Sequence, residues 1–299
     1  AISKQKGNEQ MTIDAKIFNT EKTDYKQPSL FMGQQLGLLD TINKNYPEIF
    51  RLYKKMKSLD WDENEFDFTA CNTEFKTCSK NTYEIMIRTL SWQWEADSVA
   101  CKSIIPIIAP FVTSTELWVA WLRLTDSEST HSLTYSEMVR NSFDDPDQVL
   151  KEILEVSEAL QRMDAVADVF SKVYDTSLAL ASGNIQKDQK AYEDIYMFVV
   201  AMYCLERIQF VASFAVTFAV ANSGQFVQFG KAVQKICQDE FEVHQLLDRA
   251  VLDYEAKTEY GKLARINNKQ RIETLVTSVI DSELNWVDYL LSDGRELVG

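Results

Sequence analysis

The apolar positions of this chain follow helical spacing, in blocks separated by proline and glycine. From about Asn81 to Ile104 they recur every three or four residues, the period that lines one face of an α-helix. Pro106 and Pro110 are expected to break that helix. Thr113-Ser-Thr-Glu116 then offers an N-cap with a glutamate close behind, and the helix it opens should reach about Asn141. Pro47 can open a short helix through Lys57, and Asp144-Asp-Pro146 is a turn and start signal. No proline follows Pro146, so the rest of the chain lacks the strongest helix breaker. Gly183-Asn184 ends one helix there, and Ser223-Gly224 ends or sharply bends another. A further helix should run to about Ala256, and one from Asn268 to Leu291 should stop near Gly294. Neither strand alternation of useful length nor a repeat of fixed period appears. The expected class is all-α, a bundle of long helices.

Tyr196 to Ala221 is almost wholly apolar and long enough to cross a bilayer. Glu206, Arg207 and Gln209 sit at its centre, where each would be costly in lipid. It therefore reads as a buried central helix, with no membrane partner. Residues 1–30 are polar and mixed and read as an N-terminal arm, leaving 31–299 as the domain. A net charge of −14 argues against nucleic acid, since phosphate contacts need clustered Lys and Arg. The five cysteines are odd in number and form no CxxC. They read as buried free thiols of a cytoplasmic protein, and the first residues carry no hydrophobic signal segment. Cys204 and Cys237 fall near the chemistry described next, where core packing accounts for them.

The chain has only two histidines, and each follows a glutamate by one helical turn: Glu128-Ser-Thr-His131 and Glu240-Phe-Glu-Val-His244. Each stretch can aim a carboxylate and an imidazole at one point. Two such pairs suggest a site for two metal ions inside a helical bundle. Glu206 and Glu240 are equally far from Ser223, so a chain reversal there brings them level on antiparallel helices. Asp97 and Glu128 stand in the same relation to the Pro106–Thr115 break. Four carboxylates and two imidazoles then converge. Glu206 lies in the most apolar helix, where a carboxylate needs a partner, and a metal or a basic residue on another helix would serve. For Asp97 a solvated face is the competing reading, because Glu95 is nearby. Oxygen-rich sites with a few imidazoles suit iron or manganese better than zinc. Tyr135 follows His131 by four residues, on the same face, as a redox-active or an ordinary core tyrosine would. Phe210, Phe214 and Ile236 would wall the site with apolar groups.

These residues resemble a known family, the radical-generating small subunit of class I ribonucleotide reductase, over about residues 30–299. The block Asp126-Ser-Glu-Ser-Thr-His-Ser-Leu-Thr-Tyr135-Ser-Glu-Met-Val-Arg-Asn141 is similar to the family's Ser-Glu-x-x-His-x-x-x-Tyr followed by Arg-Asn. Leu205 to Phe214 resembles its third ligand helix and Gln238-Asp-Glu240 its fourth, and Trp286 to Gly294 is also characteristic. The resemblance implies a ferritin-like bundle with Asp97, Glu128 and His131 on one metal and Glu206, Glu240 and His244 on the other. It implies a di-iron centre, with manganese as the other candidate, that uses O₂ to oxidise Tyr135. It also implies a radical pocket of Phe210, Phe214 and Ile236. A path begins at Trp61 and Asp239, with His131 between them, toward a large catalytic subunit that reduces ribonucleotides. A homodimer is implied as well.

The chain departs from that pattern twice. The family's second pair is Glu-x-x-His, whereas three residues separate Glu240 from His244. A one-residue bulge of π type would absorb the difference. Glu242 is the rival ligand, but on a regular helix it points away from Glu240. Family members also continue past the position of Gly299 into a tail that docks on the large subunit. Either this sequence is a fragment, or a second polypeptide supplies that part. The competing functions are a ferritin-like di-iron oxidase or iron-storage protein with the same ligands, and a metal-free helical scaffold or truncated remnant.

Overall fold

A computed structural model describes residues 26–298. Most of the expected N-terminal arm, residues 1–25, lies outside the described residues. The end of that stretch is core: Leu30 is fully buried, and Phe31 pairs with Val112 in an isolated bridge. That bridge is the only β pairing among the described residues.

The all-α expectation holds. Among the described residues thirteen α-helices follow in order: α1 Pro47–Ser58, α2 Thr69–Thr77, α3 Lys80–Ile108, α4 Thr115–Ser142, α5 Pro146–Leu154, α6 Ser157–Gln161, α7 Asp164–Ser182, α8 Gln189–Cys204, α9 Val211–Asn222, α10 Val227–Asp239, α11 Gln245–Glu255, α12 Glu259–Asn267 and α13 Lys269–Leu290. A π turn, Leu205–Gln209, joins α8 to α9, and a second, Glu240–His244, joins α10 to α11.

One expected boundary moves. The helix α3 continues through Pro106 and ends at Ile108. The proline lies in the last turn, where the missing N–H removes only one ladder bond and the ring does not cut the helix in two. Ser114 then caps α4 by accepting from the Leu117 N–H at 3.2 Å. Glu116 turns elsewhere and accepts from the N–H groups of Asn45 and Tyr46 at the entrance to α1. Gly224, at φ +90°, makes the reversal between α9 and α10, a conformation that an L side chain would strain.

The apolar interior falls into two clusters. One gathers the C-terminal half of α3, the N-terminal half of α4, α8 and α11. The other gathers the opposite halves of α3 and α4 with α9, α10 and the end of α13. Along each of four helical rods the chain crosses from one cluster to the other: between Ala96 and Ala100, Leu124 and Tyr135, Cys204 and Leu205, and Ile236 and Val243. Asp97, Glu128, Glu206 and Glu240 all lie at these crossings. The apolar cores thus enclose a polar layer buried from bulk solvent. The apolar run inside Gln189–Asn222 is long enough to span a membrane, but 72% of its most apolar window is buried inside the protein, as a core helix should be.

Candidate metal centre

The six expected side chains meet. Asp97, Glu128, His131 and Glu240 each offer an atom within 4.8 Å of the others, and so do Glu128, Glu206, Glu240 and His244. Glu128 and Glu240 belong to both groups. All six residues are buried, none more than 1% exposed.

On α4, Glu128 and His131 are one turn apart and face inward, with His131 Nδ1 3.5 Å from Glu128 Oε2 and 3.9 Å from Asp97 Oδ2 of α3. From the second hairpin, Glu240 Oε1 comes within 3.2 Å of the same nitrogen. His244 Nδ1 lies 3.0 Å from Glu128 Oε1 and 3.3 Å from Glu240 Oε2. The expected bulge is present: Glu240 and His244, four residues apart, begin and end a π turn. Glu242, the rival ligand, is half-exposed and pairs with Lys55 at 2.8 Å. Glu206 has no basic partner among the described residues, and Arg207 instead lies over the Phe241 ring. The ion-pair alternative for Glu206 is therefore not what the structure shows. Asp97 is fully buried, so it is no solvated face.

The electrostatics follow from crowding acids and imidazoles in a buried layer. Burial, then the Glu128 charge, pushes the Asp97 carboxyl well above the usual carboxylate range. Burial, then Glu240, does the same to Glu206. Burial also opposes charge on Glu240, but His244, Glu206 and His131 hold it well below its usual range. Burial works against protonation of His244, yet Glu240 and Glu128 raise it to about 10. Despite its burial, His131 is raised as well, by Asp239, Glu128 and Glu240. Even so, among the described residues the Nδ1 atoms of His131 and His244 only approach Glu128 and Glu240 without making well-directed hydrogen bonds, and both oxygens of Asp97, Glu206 Oε2 and His244 Nε2 have no hydrogen-bond partner. Each such atom left unpaired costs about 1–3 kcal/mol, more when charged.

Tyr135 is fully buried, its hydroxyl unpaired, and burial, then the Asp97 charge, pushes the phenol well up. Phe210, Phe214 and Ile236 are buried in the same apolar cluster, with Phe210 stacked on Phe214 at 5.5 Å. Trp61 Nε1 donates to Asp239 Oδ2 at 2.7 Å, and the same oxygen lies 3.0 Å from His131 Nε2. The Trp61 and His131 rings also stack, 5.9 Å apart.

Sequence reasoning missed Asp248. It is fully buried one turn beyond His244 on α11, within 3.4 Å of Trp121 Nε1. Burial pushes its carboxyl up to about 8. The i, i+4 step from His244 was the available signal.

The family model "Ribonucleotide reductase, small chain" matches residues 40–299. The ribonucleoside-diphosphate reductase subunit beta of Haemophilus influenzae is 26% identical over 294 residues, covering 93% of this chain and 77% of that one. The ribonucleotide reductase R2 subunit from Clostridium botulinum superposes with a TM-score of 0.81 at 19% identity, over 95% of this chain and 84% of that one. An R2-like ligand-binding oxidase holding a Mn/Fe cofactor has the same fold, with a TM-score of 0.62 at 14% identity over 86% and 87%. None of these matches supports a second polypeptide. The match extends over the four rods that carry the six side chains, and the chain belongs to the ribonucleotide reductase small-chain family.

Proposed function

We propose that the polar layer holds two metal ions and that this small chain generates a tyrosyl radical for a large catalytic subunit. The observation that carries the reading is the convergence of four buried carboxylates and two buried imidazoles, several of their atoms without a hydrogen bond, which two cations would satisfy together. Asp97 and His131 would serve one ion, Glu206 and His244 the other, with Glu128 and Glu240 shared. A donor set of four carboxylates and two imidazoles suits iron, with manganese as the alternative. When bound, such a pair supplies the oxidising power that O₂ delivers to it.

The chain's own residues then do four things. The six donors would fix the ions, and those whose protonation burial or neighbouring acids favour, Asp97, Glu206, His131 and His244, would give up protons to do so. Tyr135 would give an electron to the oxidised metal pair and its hydroxyl proton to a neighbouring carboxylate, Asp97 being the one whose charge acts most strongly on that hydroxyl. Phe210, Phe214 and Ile236 keep water and reductants from the phenoxyl. Trp61, Asp239 and His131 form an unbroken hydrogen-bonded chain from the centre to a small surface opening lined by Asp60, Arg123 and Thr130. The large subunit would meet this chain there. A homodimer in the cytoplasm, with five free thiols, completes the reading.

The test is aerobic loading with Fe(II), followed by EPR. A tyrosyl signal is expected in the wild type and none in Tyr135→Phe, with metal content equal in both. The same signal in Tyr135→Phe would remove Tyr135 from its role. The fold is shared with an oxidase, so a second reading stands beside this one: two metals per chain, no radical and no response to a large subunit. Many irons per chain would point to storage, and a washed protein that takes up no metal to a scaffold.

A further inference from the structure

Glu206 does not sit on a regular helix. It lies in the π turn that ends α8, and α9 starts afresh at Val211. A restart in a dry interior frees main-chain groups that must find other partners. Three side chains far away in sequence meet them. The Gln209 carbonyl accepts from Trp92 Nε1 at 2.9 Å and from Arg162 Nη2 at 2.5 Å. The Ala212 N–H donates to Glu283 Oε1 at 2.8 Å. The other oxygen of Glu283 takes a hydrogen bond from Arg162 Nη2, which closes the ring. The Gln209 side chain returns a bond to the Arg162 carbonyl at 3.0 Å.

The arrangement is buried throughout. Arg162 is 3% exposed and Glu283 9%. The guanidinium lies between the Trp92 and Trp286 rings, 4.1 and 4.7 Å from their centres. A buried ion pair is a poor source of stability, because apolar residues of similar volume often do as well. This pair ends on both loose ends of the turn, a task that apolar residues cannot perform.

We infer that Arg162 and Glu283, with Trp92, are positioning residues that hold the π turn and so aim the Glu206 carboxylate at the metal pair. The inference rests on the reading of Glu206 as a ligand. Residues that orient ligands in this way, without touching the ion, tune metal affinity.

The test uses the full chain, Mn(II) titrated under nitrogen with EPR detection of free ion, and hydrogen exchange read by mass spectrometry. Trp92→Phe keeps the ring and removes one donor. It should weaken binding of one of the two ions about tenfold and leave the other unchanged. Exchange across residues 205–213 should quicken by about an order of magnitude, with residues 240–244 unaffected. Glu283→Leu should lose that ion, whereas Glu283→Gln, which can still accept from Ala212, should fall between it and the wild type. If Glu283→Leu does not fold, Trp92→Phe and Glu283→Gln decide. Variants that fold, exchange like the wild type at 205–213 and bind both ions with unchanged affinity would overturn the inference. Failure of the underlying reading looks different. Glu206→Ala would then bind as many ions as the wild type, while exchange at 205–213 would still report whether the three side chains hold the turn.

Discussion

The two halves of the centre are built differently. Asp97, Glu128 and His131 stand on α3 and α4, which run unbroken past them. Glu206, Glu240 and His244 all stand in π turns. The outward connections differ as well. His131 Nε2 faces Asp239 and, through it, Trp61. His244 Nε2 is buried with no partner, and the acid beyond it, Asp248, leads only to Trp121 in the core. One half is connected to the surface, the other sealed. Widened turns give up regular helical bonding, and among the described residues they lie only at Glu206 and at the Glu240–His244 pair, where they set side-chain directions that a regular helix does not give.

The largest effect should come from a residue common to both halves. Glu240→Ala should remove both ions, whereas Glu206→Ala should remove one. Elemental analysis after loading and desalting reads this directly. Equal metal content in the two variants would mean that the halves do not share Glu240 in the way the geometry implies.

Next in size is the contrast in wiring. Asp239→Asn should leave metal content and the radical signal near wild type but cut turnover with a large subunit about 10–100-fold. Asp248→Asn should leave that turnover unchanged, because no path to the surface runs through it. A matched loss in both variants would show that the sealed half is wired too.

The connected half was the more legible in sequence, and for the same structural reason. On an unbroken helix a three-residue step between Glu128 and His131 is already a statement about geometry. The four-residue step from Glu240 to His244 also returns to one face, and only its departure from the family's three-residue spacing pointed to a widened turn. Nothing comparable marked the turn at Glu206, because a lone carboxylate has no second residue on its helix to reveal a slipped phase. Arg162 and Glu283 were not legible at all: their task is to meet main-chain groups more than forty residues away in sequence, and main-chain groups carry no sequence signature. The helix order followed from proline and glycine, while α5, α6 and α12, each short, carry too few apolar positions to show a period.

A smaller effect separates the halves through pH. The Asp248 carboxyl is raised from 3.8 to about 8, burial being the main cause. A folded-state pKa above the unfolded one means that folding takes up a proton between the two values. The group's contribution is therefore most favourable below about 4 and is lost as pH rises toward 8. Asparagine cannot ionise, but it can still accept from Trp121. Asp248→Asn should melt like the wild type near pH 4 and a few degrees higher near pH 8, at about 2–4 °C for each kcal/mol regained. Metal-free protein is the sample, and calorimetry the measurement. A melting difference that does not change with pH would show that Asp248 is already compensated by His244, its neighbour one turn away.

The smallest predicted effect tests the phase of the second π turn. Glu242 lies inside that turn, between Glu240 and His244, and is the one acid there that could compete as a ligand. Its side chain is instead turned outward to Lys55, and the Lys55 ammonium holds its carboxyl below the ordinary range. An exposed pair of this kind contributes about 0–1 kcal/mol. Glu242→Ala should therefore leave both ions, their affinities and the radical yield unchanged, with at most a slight fall in melting temperature. Loss of an ion would mean that the turn is phased differently once metal is bound, with Glu242 swung inward. In that event the contrast between a regular half and a widened half would belong to the metal-free protein alone.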